Sequence, residues 1–298
     1  MELIRAATLT VSDLARSRKL YSEWLNYKEI ETGHVPLDLA KSWGAPQTSG
    51  QAYCVLQPES GAKAYIRLIE QPSVPEYKAL KSYGWAAIEI CNQDTLAVNA
   101  RMETSPFEII GPPQVLDGLP AIFPMQVKGP DKEIVYLTEF KERHLESYDL
   151  PQAESLIDRL FILVMACSDL KKSGDWLVKH LKIEQGPPMD LIYTLINTAF
   201  DLPENDTHTI ATLQHGRDVF IEIDQMPEEA ISRPCHDGML PPCAAIASFI
   251  HPEFDTLLEV NKGLWIVPPA KYSGAVYDGK RAGTLRAPDG TLIEVIEA

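Results

Sequence analysis

The chain has 298 residues, of which 45% are hydrophobic and 23% charged, a composition that excludes a disordered or fibrous protein. It carries 27 Lys and Arg against 42 Asp and Glu, and the net charge of −15 argues against a nucleic-acid or anionic-membrane partner, which would need clustered cations. The sequence shows neither an apolar run of the ~20 residues that span a membrane nor a signal-peptide pattern, so we expect a cytoplasmic location. Five scattered Cys without a CxxC pair predict reduced thiols.

The first pattern along the chain is a strand followed by a helix. Residues 7–11 are rich in Thr and Val, which favours a strand. Asp13 then stands at an N-cap position, and the apolar spacing of residues 20–25 predicts a helix. Three further strands are predicted by β-branched and aromatic runs at residues 64–69 and 86–88 and at the end of the segment 129–136.

The same pattern returns about 156 residues later. Asp169 repeats Asp13, and the later strand runs, with offsets of 155 to 158, lie at residues 219–224, 244–246 and 287–294. Correspondences with so little drift indicate an internal duplication. We therefore predict a first module at residues 1–140, a polar connector at 141–158 and a second module at 159–298.

Two segments of the repeat resemble the signature segments of a known superfamily. They are TVSDL at residues 10–14 and APDGTLIEV at residues 287–295, and they resemble the vicinal oxygen chelate superfamily of glyoxalases, bleomycin-resistance proteins, fosfomycin-resistance enzymes and extradiol dioxygenases. The resemblance covers nearly the whole chain. It implies an α+β fold of two tandem βαβββ modules, whose curved mixed sheets form cup-shaped pockets for a small molecule or a metal.

The resemblance also implies where metal ligands would lie. Those positions, on a first, a middle and a closing strand of each module, are Ala6 and Ile162, Trp85 and Cys243, and Tyr136 and Glu294. Only Glu294 has the superfamily's usual ligand type, whereas a first-row divalent ion needs about three N, O or S ligands. We therefore expect neither a metal nor another cofactor.

Two carboxylates are the candidate catalytic groups. Glu294 alternates with Ile293 and Val295, so it points into the cup if those two side chains pack on a helix. Burial in an apolar cup would raise its pKa and suit it to general acid or base catalysis. Glu222 shows the same alternation. The alternative for Glu294 is a solvated position on an outer face.

Arg67 corresponds to Glu222 in the first module. We expect one cup to carry Glu222 and Glu294, which could divide acid and base duties, and the other to carry Arg67 and Tyr136, which could bind an anionic or carbonyl group. Alternatively, Arg67 forms a salt bridge with Glu89 on a neighbouring strand.

The remaining candidates are substrate-binding side chains. Tyr53, Tyr65, Trp85 and Tyr136 fall on predicted strands, where they form either a stacking wall or a filled core. Cys243 could orient a substrate. The loop at residues 233–238 holds Cys235 and His236, which are a nucleophile and base or simply part of an exposed loop.

These patterns favour a lyase or isomerase that acts on a small carbonyl-bearing or aromatic metabolite without a metal. One alternative is a binding protein like the bleomycin-resistance modules, whose acidic surface would suit a cationic ligand. A second is a metal-dependent dioxygenase with unusual ligands. The duplication could supply within one chain the pairing that single modules achieve by dimerisation, so both a monomer and a homodimer are compatible with the sequence.

Overall fold

The structure is a computed structural model that describes residues 3–116, 119–145 and 148–298. The strands of the first module are β1 (Ile4–Val11), β2 (Tyr27–His34), β3 (Ala52–Pro58), β4 (Tyr65–Glu70), β5 (Gly84–Asn92), β6 (Glu108–Gly111), β7 (Ile122–Lys128) and β8 (Ile134–Phe140). Its helices are α1 (Leu14–Leu25), α2 (Leu37–Ser42) and α3 (Thr95–Met102).

The second module has the same alternation of strands and helices. Its strands are β9 (Ile157–Cys167), β10 (Glu184–Gln185), β11 (Met189–Ile192), β12 (Thr207–His215), β13 (Asp218–Gln225), β14 (Cys243–His251), β15 (Ala270–Lys271), β16 (Arg281–Arg286) and β17 (Leu292–Glu297). Its helices are α4 (Leu170–Leu181), α5 (Thr194–Phe200) and α6 (Phe254–Val260). None of the helices within the described residues is long and apolar enough to span a membrane.

Within the described part of the chain, the strands form two mixed sheets, and each sheet contains strands of both modules. The first sheet has the order β15-β16-β17-β14-β1-β4-β3-β2, and the second has the order β10-β12-β13-β9-β5-β8-β7-β6, with β11 paired to β12. Modules join where β1 pairs antiparallel with β14 and where β5 pairs antiparallel with β9. Each sheet therefore combines half of one module with half of the other.

The predicted α+β fold of two tandem modules with curved mixed sheets is confirmed. Each module contains two successive units, and each unit consists of a strand, a helix and further strands in the βαβββ order. β8 ends at Phe140 and β9 begins at Ile157, so the predicted connector at residues 141–158 overlaps the start of β9. Residues 146 and 147 of that connector lie outside the described residues.

Side-chain alternation divides each sheet into two differently used faces. One face of each sheet packs into a shared apolar core, to which Leu9, Ile88, Leu163 and Ile293 belong. Phe249 of the first sheet lies in this core and contacts aromatic rings of the second sheet. The opposite faces carry separate clusters, and these line the two cups described below.

The helix starts of the two modules share one capping arrangement. Asp13 accepts a hydrogen bond from the backbone N–H of Arg16 at 2.9 Å, as Asp169 does from Lys172. Because Asp13 and Asp169 were matched by the repeat, their equal roles support the duplication.

A second shared arrangement ties each α-helix start to a turn before a closing strand. Ser12 donates through its hydroxyl to Asp131 at 2.5 Å, and Ser168 donates to Asp289 at 2.7 Å. Asp131 also accepts hydrogen bonds from Arg16 at 2.6 Å and from Ser17 at 3.0 Å. The turn of β7–β8 is thereby fixed to the start of α1.

We expect Asp131→Ala to lower the free energy of unfolding by about 2 kcal/mol, because the hydroxyl of Ser17 would lose its partner inside the protein. Urea denaturation measures the change. Glu59→Ala is the matched control, since Glu59 is half exposed and lies 3.5 Å from Lys28; its cost is less than about 0.5 kcal/mol. Equal losses in the two variants would contradict the assigned role of Asp131.

Candidate functional site

The strand register decides which side chains meet on each cup face. In the first sheet, Thr8 lies beside Arg67 and Ser248 beside Glu294. We call these four residues and the side chains they contact the first cup.

In the second sheet, Val164 lies beside Glu222 and Glu89 beside Tyr136. These four residues, with Asp224, Tyr193 and the aromatic side chains around them, form the second cup. The pairing expected from the sequence is therefore wrong: Glu294 shares a cup with Arg67, and Glu222 shares one with Tyr136. The physical reason is that strands pair between modules, so that neither cup belongs to a single module.

Glu294 in the first cup is buried and has a full set of hydrogen-bond partners. Its side chain is 1% exposed. Oε1 accepts hydrogen bonds from the indole Nε1 of Trp43 at 2.8 Å and from the hydroxyl of Tyr277 at 2.9 Å, and Oε2 accepts one from Ser248 at 2.6 Å. A carboxylate satisfied on both oxygens has little capacity left for a ligand.

Arg67 balances the charge of Glu294. Its Nη2 lies 3.5 Å from Oε2 of Glu294, and it donates from Nε to Thr8 at 2.9 Å and from Nη1 to Tyr277 at 2.7 Å. Its guanidinium also lies 4.6 Å from the ring centroid of Trp43. Burial lowers the pKa of Arg67, but Tyr277 and Glu294 outweigh it and hold that pKa above its ordinary value.

The first cup is therefore filled by its own side chains, and its buried charges are paired. The alternative salt bridge between Arg67 and Glu89 is also wrong, because Glu89 belongs to the second sheet.

The second cup differs from the first because it brings together three carboxyl groups, those of Glu89, Glu222 and Asp224. Burial, together with the nearby Glu222, raises the pKa of Glu89 to about 8, although Thr138 donates a hydrogen bond to it at 2.5 Å. Burial raises the pKa of Glu222 to about 7, opposed by hydrogen bonds with Asp224 and Tyr193. Burial and the charge of Glu222 raise the pKa of Asp224 well above its ordinary value.

Glu222 and Asp224 are neighbouring carboxyl groups on one strand. Both project from β13 two residues apart and therefore on the same face. Since two like charges in one desolvated site cannot both ionise easily, the pair retains a proton in the neutral pH range. A pair of this kind has the chemistry to supply an acid through one member and a base through the other.

Phenols and aromatic rings complete the second cup. The hydroxyls of Tyr136 and Tyr193 lie 2.6 Å apart, and burial raises the pKa of both groups well above the ordinary value. Phe140 and Tyr148 pack against the same apolar cluster and remain partly exposed, as does Tyr193. Glu222 is also partly exposed.

Two of the predicted substrate-binding residues lie outside both cups. Trp85 belongs to the shared core and donates from its indole Nε1 to the backbone oxygen of Leu292 at 2.7 Å. Cys243 begins β14 with a positive φ, and its Sγ donates to the backbone oxygen of Asp131 at 2.9 Å. Neither side chain is brought to Glu222 or Glu294.

Tyr53 and Tyr65 lie in the wall of the first cup. Tyr53 donates to Oε1 of Glu31 at 2.6 Å, and burial together with this hydrogen bond raises its pKa to about 12. The guanidinium of Arg5 lies 6.0 Å from the ring centroid of Tyr65. These two tyrosines support the closed cup and are not brought to Glu222.

Cys235 and His236 do not form a nucleophile and base pair. The thiol of Cys235 lies 3.3 Å from each of three backbone oxygens, those of His236, Met239 and Leu240. Burial raises the pKa of this thiol. His236 instead places its Nε2 at 3.0 Å from the backbone oxygen of Ser73. Carbonyl oxygens around a sulfur disfavour the thiolate, so the geometry does not activate Cys235.

The donor sets of the cups differ from the metal sites of the superfamily. Among residues 3–116, 119–145 and 148–298, no group of three or more His, Cys, Asp and Glu side chains has a geometry that could hold a metal ion. In the first cup, the positive charge of Arg67 opposes a bound cation. In the second, Glu89 already accepts a hydrogen bond from Thr138. The residues present therefore do not fit such a metal site.

Sequence reasoning missed Asp224 and Tyr193, and it considered Glu89 only as a partner of Arg67. The alternation of β13 could have revealed Asp224, because it follows Glu222 by two residues. Tyr193 directly precedes α5, outside any strand, so no periodicity indicates that it reaches Tyr136.

Comparison with known proteins identifies the fold. No family model matches the sequence, and no curated protein is found similar to it. Glyoxalase I from Zea mays is similar in structure, with 15% identity and a TM-score of 0.63 over 99% of this chain and 92% of that one. A single-residue mutant of that enzyme is similar to the same degree, with 16% identity and a TM-score of 0.64 over 99% of this chain and 92% of the mutant chain.

A proposed dioxygenase from Bacillus subtilis shows the same likeness, with 12% identity and a TM-score of 0.66 over 99% of this chain and 85% of the other. The chain therefore has the vicinal oxygen chelate fold in its two-module form. At these identities the likeness is one of fold, and the fold carries many chemistries.

The ion pair of the first cup predicts strong energetic coupling. We expect Arg67→Met and Glu294→Gln each to lower the free energy of unfolding by about 3–5 kcal/mol, because either change leaves the other group buried without its partner. The double variant should cost less than the sum by at least about 1 kcal/mol. Urea denaturation of all four proteins gives the coupling, and strictly additive losses would contradict a pair that acts as a unit.

The second cup predicts a dependence of stability on pH. The pKa of Glu89 is about 8 in the folded protein, above its ordinary value of 4.5. The folded state therefore binds a proton that the unfolded state releases between these values, and stability falls as pH rises through this range. Glu89→Gln removes this loss, so we expect it to stabilise the protein by on the order of 1–3 kcal/mol near pH 8 and hardly at all near pH 4.5.

Urea denaturation at both pH values measures this effect. Glu76→Gln is the control, because Glu76 is exposed and its substitution should change stability little at either pH. A gain for Glu89→Gln that is the same at both pH values would show that Glu89 is not buried in its neutral form.

Proposed function

We propose that the protein is an enzyme of the lyase or isomerase type, which moves a proton on a small carbonyl-bearing metabolite in the second cup without a metal. The observation that carries this proposal is that Glu222, which is partly exposed, shares one face of β13 with the buried Asp224, and that the pKa values of both carboxyl groups are raised. The first cup offers no comparable group, because Glu294 is held by Trp43, Tyr277 and Ser248.

In this mechanism, Glu222 is the general base. Its carboxylate removes a proton from the carbon next to the carbonyl group, and the electrons of that C–H bond move to the carbonyl oxygen. Asp224 in its neutral form, or Glu89, protonates that oxygen to give an enol. With an α-hydroxycarbonyl substrate this enol is an enediol, and an isomerisation is completed when Glu222 returns its proton to the former carbonyl carbon while the hydroxyl group on the α-carbon gives its proton to the ionised Asp224 or Glu89 and becomes the new carbonyl group. A base with a pKa of about 7 is well matched to proton transfer at neutral pH.

Tyr136 and Tyr193 orient the carbonyl group in this proposal. Their hydroxyls lie 2.6 Å apart, and their raised pKa values keep both phenols protonated. Fixed donors beside a developing oxyanion stabilise it without reorganising during the reaction. Arg67 and Glu294 are assigned a structural role, since they fill the first cup.

The second candidate is a binding protein that holds a ligand without changing it. The partly exposed rings of Phe140, Tyr148 and Tyr193 favour this alternative, because such rings stack on a flat ligand. A binder leaves its ligand chemically unchanged, so the experiment below distinguishes it from an enzyme.

We expect the protein in D₂O to exchange the α-hydrogens of at least one compound in a panel of α-ketoaldehydes, α-hydroxyketones and aryl ketones. Glu222→Gln should slow this exchange by about a hundredfold or more, because the amide cannot accept the proton. Proton NMR follows the loss of the α-hydrogen signal, and mass spectrometry detects any product.

Glu229→Gln is the matched control, because Glu229 is exposed and takes part in none of the described contacts of the cup. The exchange rate of this variant should equal that of the unmodified protein. Exchange that persists at full rate in Glu222→Gln would move the chemistry away from this residue. If the panel yields ligands that bind and none that exchanges, the binding protein is the correct alternative.

A further inference from the structure

A cavity lies beside the first cup, where the two modules meet. Its walls come from the segment after α2 and the start of β5 in the first module, and from the loop before β14 and the turn between β16 and β17 in the second. Its volume is about 190 Å³, which leaves room for about six water molecules at ~30 Å³ each. None of the three carboxyl groups of the second cup lines it, so this site is separate from that of the proposed function.

Two arginines line this cavity, and the partners of both are neutral. Arg233 donates from Nε to the hydroxyl of Ser82 at 3.2 Å and from Nη1 to the backbone oxygen of Ala244 at 3.0 Å. Arg286 donates from Nη1 to the backbone oxygen of Gly290 at 3.3 Å. In the part of the chain that the structure describes, neither guanidinium forms a salt bridge, although acidic residues outnumber Lys and Arg by 42 to 27. Both groups therefore keep a charge and N–H donors that an anion can use.

The loop that carries Arg233 is held in place by the first module. The backbone N–H of Tyr83 donates to the oxygen of Ile231 at 3.0 Å, and the N–H of Ile231 donates to the oxygen of Lys81 at 3.1 Å. The guanidinium of Arg233 also lies 5.4 Å from the ring centroid of Tyr77. A cation that the fold already positions loses little further freedom when a ligand binds.

The two cations act on the same part of the cavity. Cys235 lines the cavity and is exposed, and burial of part of its side chain raises the pKa of its thiol. The charges of Arg286 and Arg233 act against this rise, so both guanidinium groups lie near one sulfur atom.

The acidic residues near the cavity are not paired with these arginines. Asp289 is the one acidic residue among the described residues of the wall, and its two carboxyl oxygens accept hydrogen bonds from the N–H and the hydroxyl of Ser168 at 2.9 and 2.7 Å. Asp237 also raises the pKa of Cys235, but it is exposed and does not line the cavity.

The rest of the wall suits an apolar body. Trp43 and Trp85 line the cavity and are buried, and their indole N–H groups are already donated elsewhere in the protein. A ligand therefore meets their apolar rings. Thr291 also lines the cavity, and among the described residues its buried Oγ1 has no hydrogen-bond partner, a need that an acceptor on a ligand would satisfy.

We propose that this cavity binds a small organic carboxylate, with the carboxylate group between Arg233 and Arg286 and the apolar body against Trp43 and Trp85. Guanidinium groups bind carboxylates through paired N–H donors, and two of them beside an apolar wall favour an anion that also carries a hydrophobic part. A cationic ligand is repelled by both arginines.

Four probes test this ligand class. Benzoate, benzyl alcohol and benzylamine share one ring and differ mainly in charge, whereas inorganic phosphate is an anion without an apolar body. Isothermal titration at neutral pH measures their affinities. We expect benzoate to bind at least about tenfold more tightly than each of the other three, because it alone satisfies both the arginines and the apolar wall. The proposal is overturned if benzoate does not bind, or if any of the other three binds as tightly.

A variant locates the binding site. Arg286→Gln should weaken benzoate binding by about tenfold or more, and it is a mild change, because Arg286 is exposed and donates one hydrogen bond to a backbone oxygen. Arg143→Gln is the matched control, since Arg143 is exposed and does not line the cavity, and its affinity should be unchanged. Circular dichroism checks that both variants fold. Full affinity in Arg286→Gln, or an equal loss in both variants, contradicts the assigned position of the carboxylate.

Alkylation of Cys235 reports on the same site independently of the titration. The thiol releases its proton to the buffer, and the sulfur then displaces iodide from iodoacetate or iodoacetamide, so that a C–S bond forms as the C–I bond breaks. The other four cysteines are buried. Peptide mass spectrometry measures the ratio of the iodoacetate rate to the iodoacetamide rate at Cys235.

We expect this ratio to be at least about fivefold higher in the folded protein than in the chain unfolded by urea, because the arginines attract the carboxylate of iodoacetate. The ratio should fall in Arg286→Gln and stay the same in Arg143→Gln. An equal ratio in the folded and unfolded protein overturns the proposal.

Discussion

The antiparallel pairing of β1 with β14 and of β5 with β9 is the constraint on which both cups depend. Because each sheet takes half of its strands from each module, each cup combines side chains of both modules. The register then sets the composition of each cup, with Arg67 against Glu294 in the first and Glu222 with Tyr136 in the second. A substitution in one module thus acts on a partner from the other.

The two cups handle buried charge in opposite ways. In the first, Glu294 is neutralised by Arg67 and receives hydrogen bonds from an indole, a phenol and a hydroxyl, which together satisfy the groups that burial would otherwise penalise. In the second, several carboxyl groups are buried close together, and burial raises their pKa values. Local rules of folding are broken most often where a protein binds or reacts, so the unbalanced cup is the better functional candidate.

Sequence patterns predict the fold well because its signals are local. Asp13 and Asp169 mark the helix starts by capping chemistry, and alternation indicates that Glu222 shares a face with its i±2 neighbours. The pairing of the cups could not be predicted, because the repeat relates Arg67 to Glu222 without indicating which half-sheets join. That choice depends on contacts between strands far apart in sequence. The groups that close or complete the cups come from α2 and from loops, where Trp43, Tyr193 and Tyr277 follow no strand periodicity.

Two differences between matched positions account for the contrast between the cups. Arg67 in one module corresponds to Glu222 in the other, and this reversal replaces an ion pair by carboxylates that repel each other. Trp43 and Phe200 lie 157 residues apart and are therefore matched by the same repeat. The ring of Phe200 lies 5.4 Å from the ammonium of Lys81 and has no N–H group to donate to a carboxylate. The second cup has therefore lost both the cation and the indole donor that close the first. In the first cup, by contrast, both oxygens of Glu294 are held by donors of the protein itself.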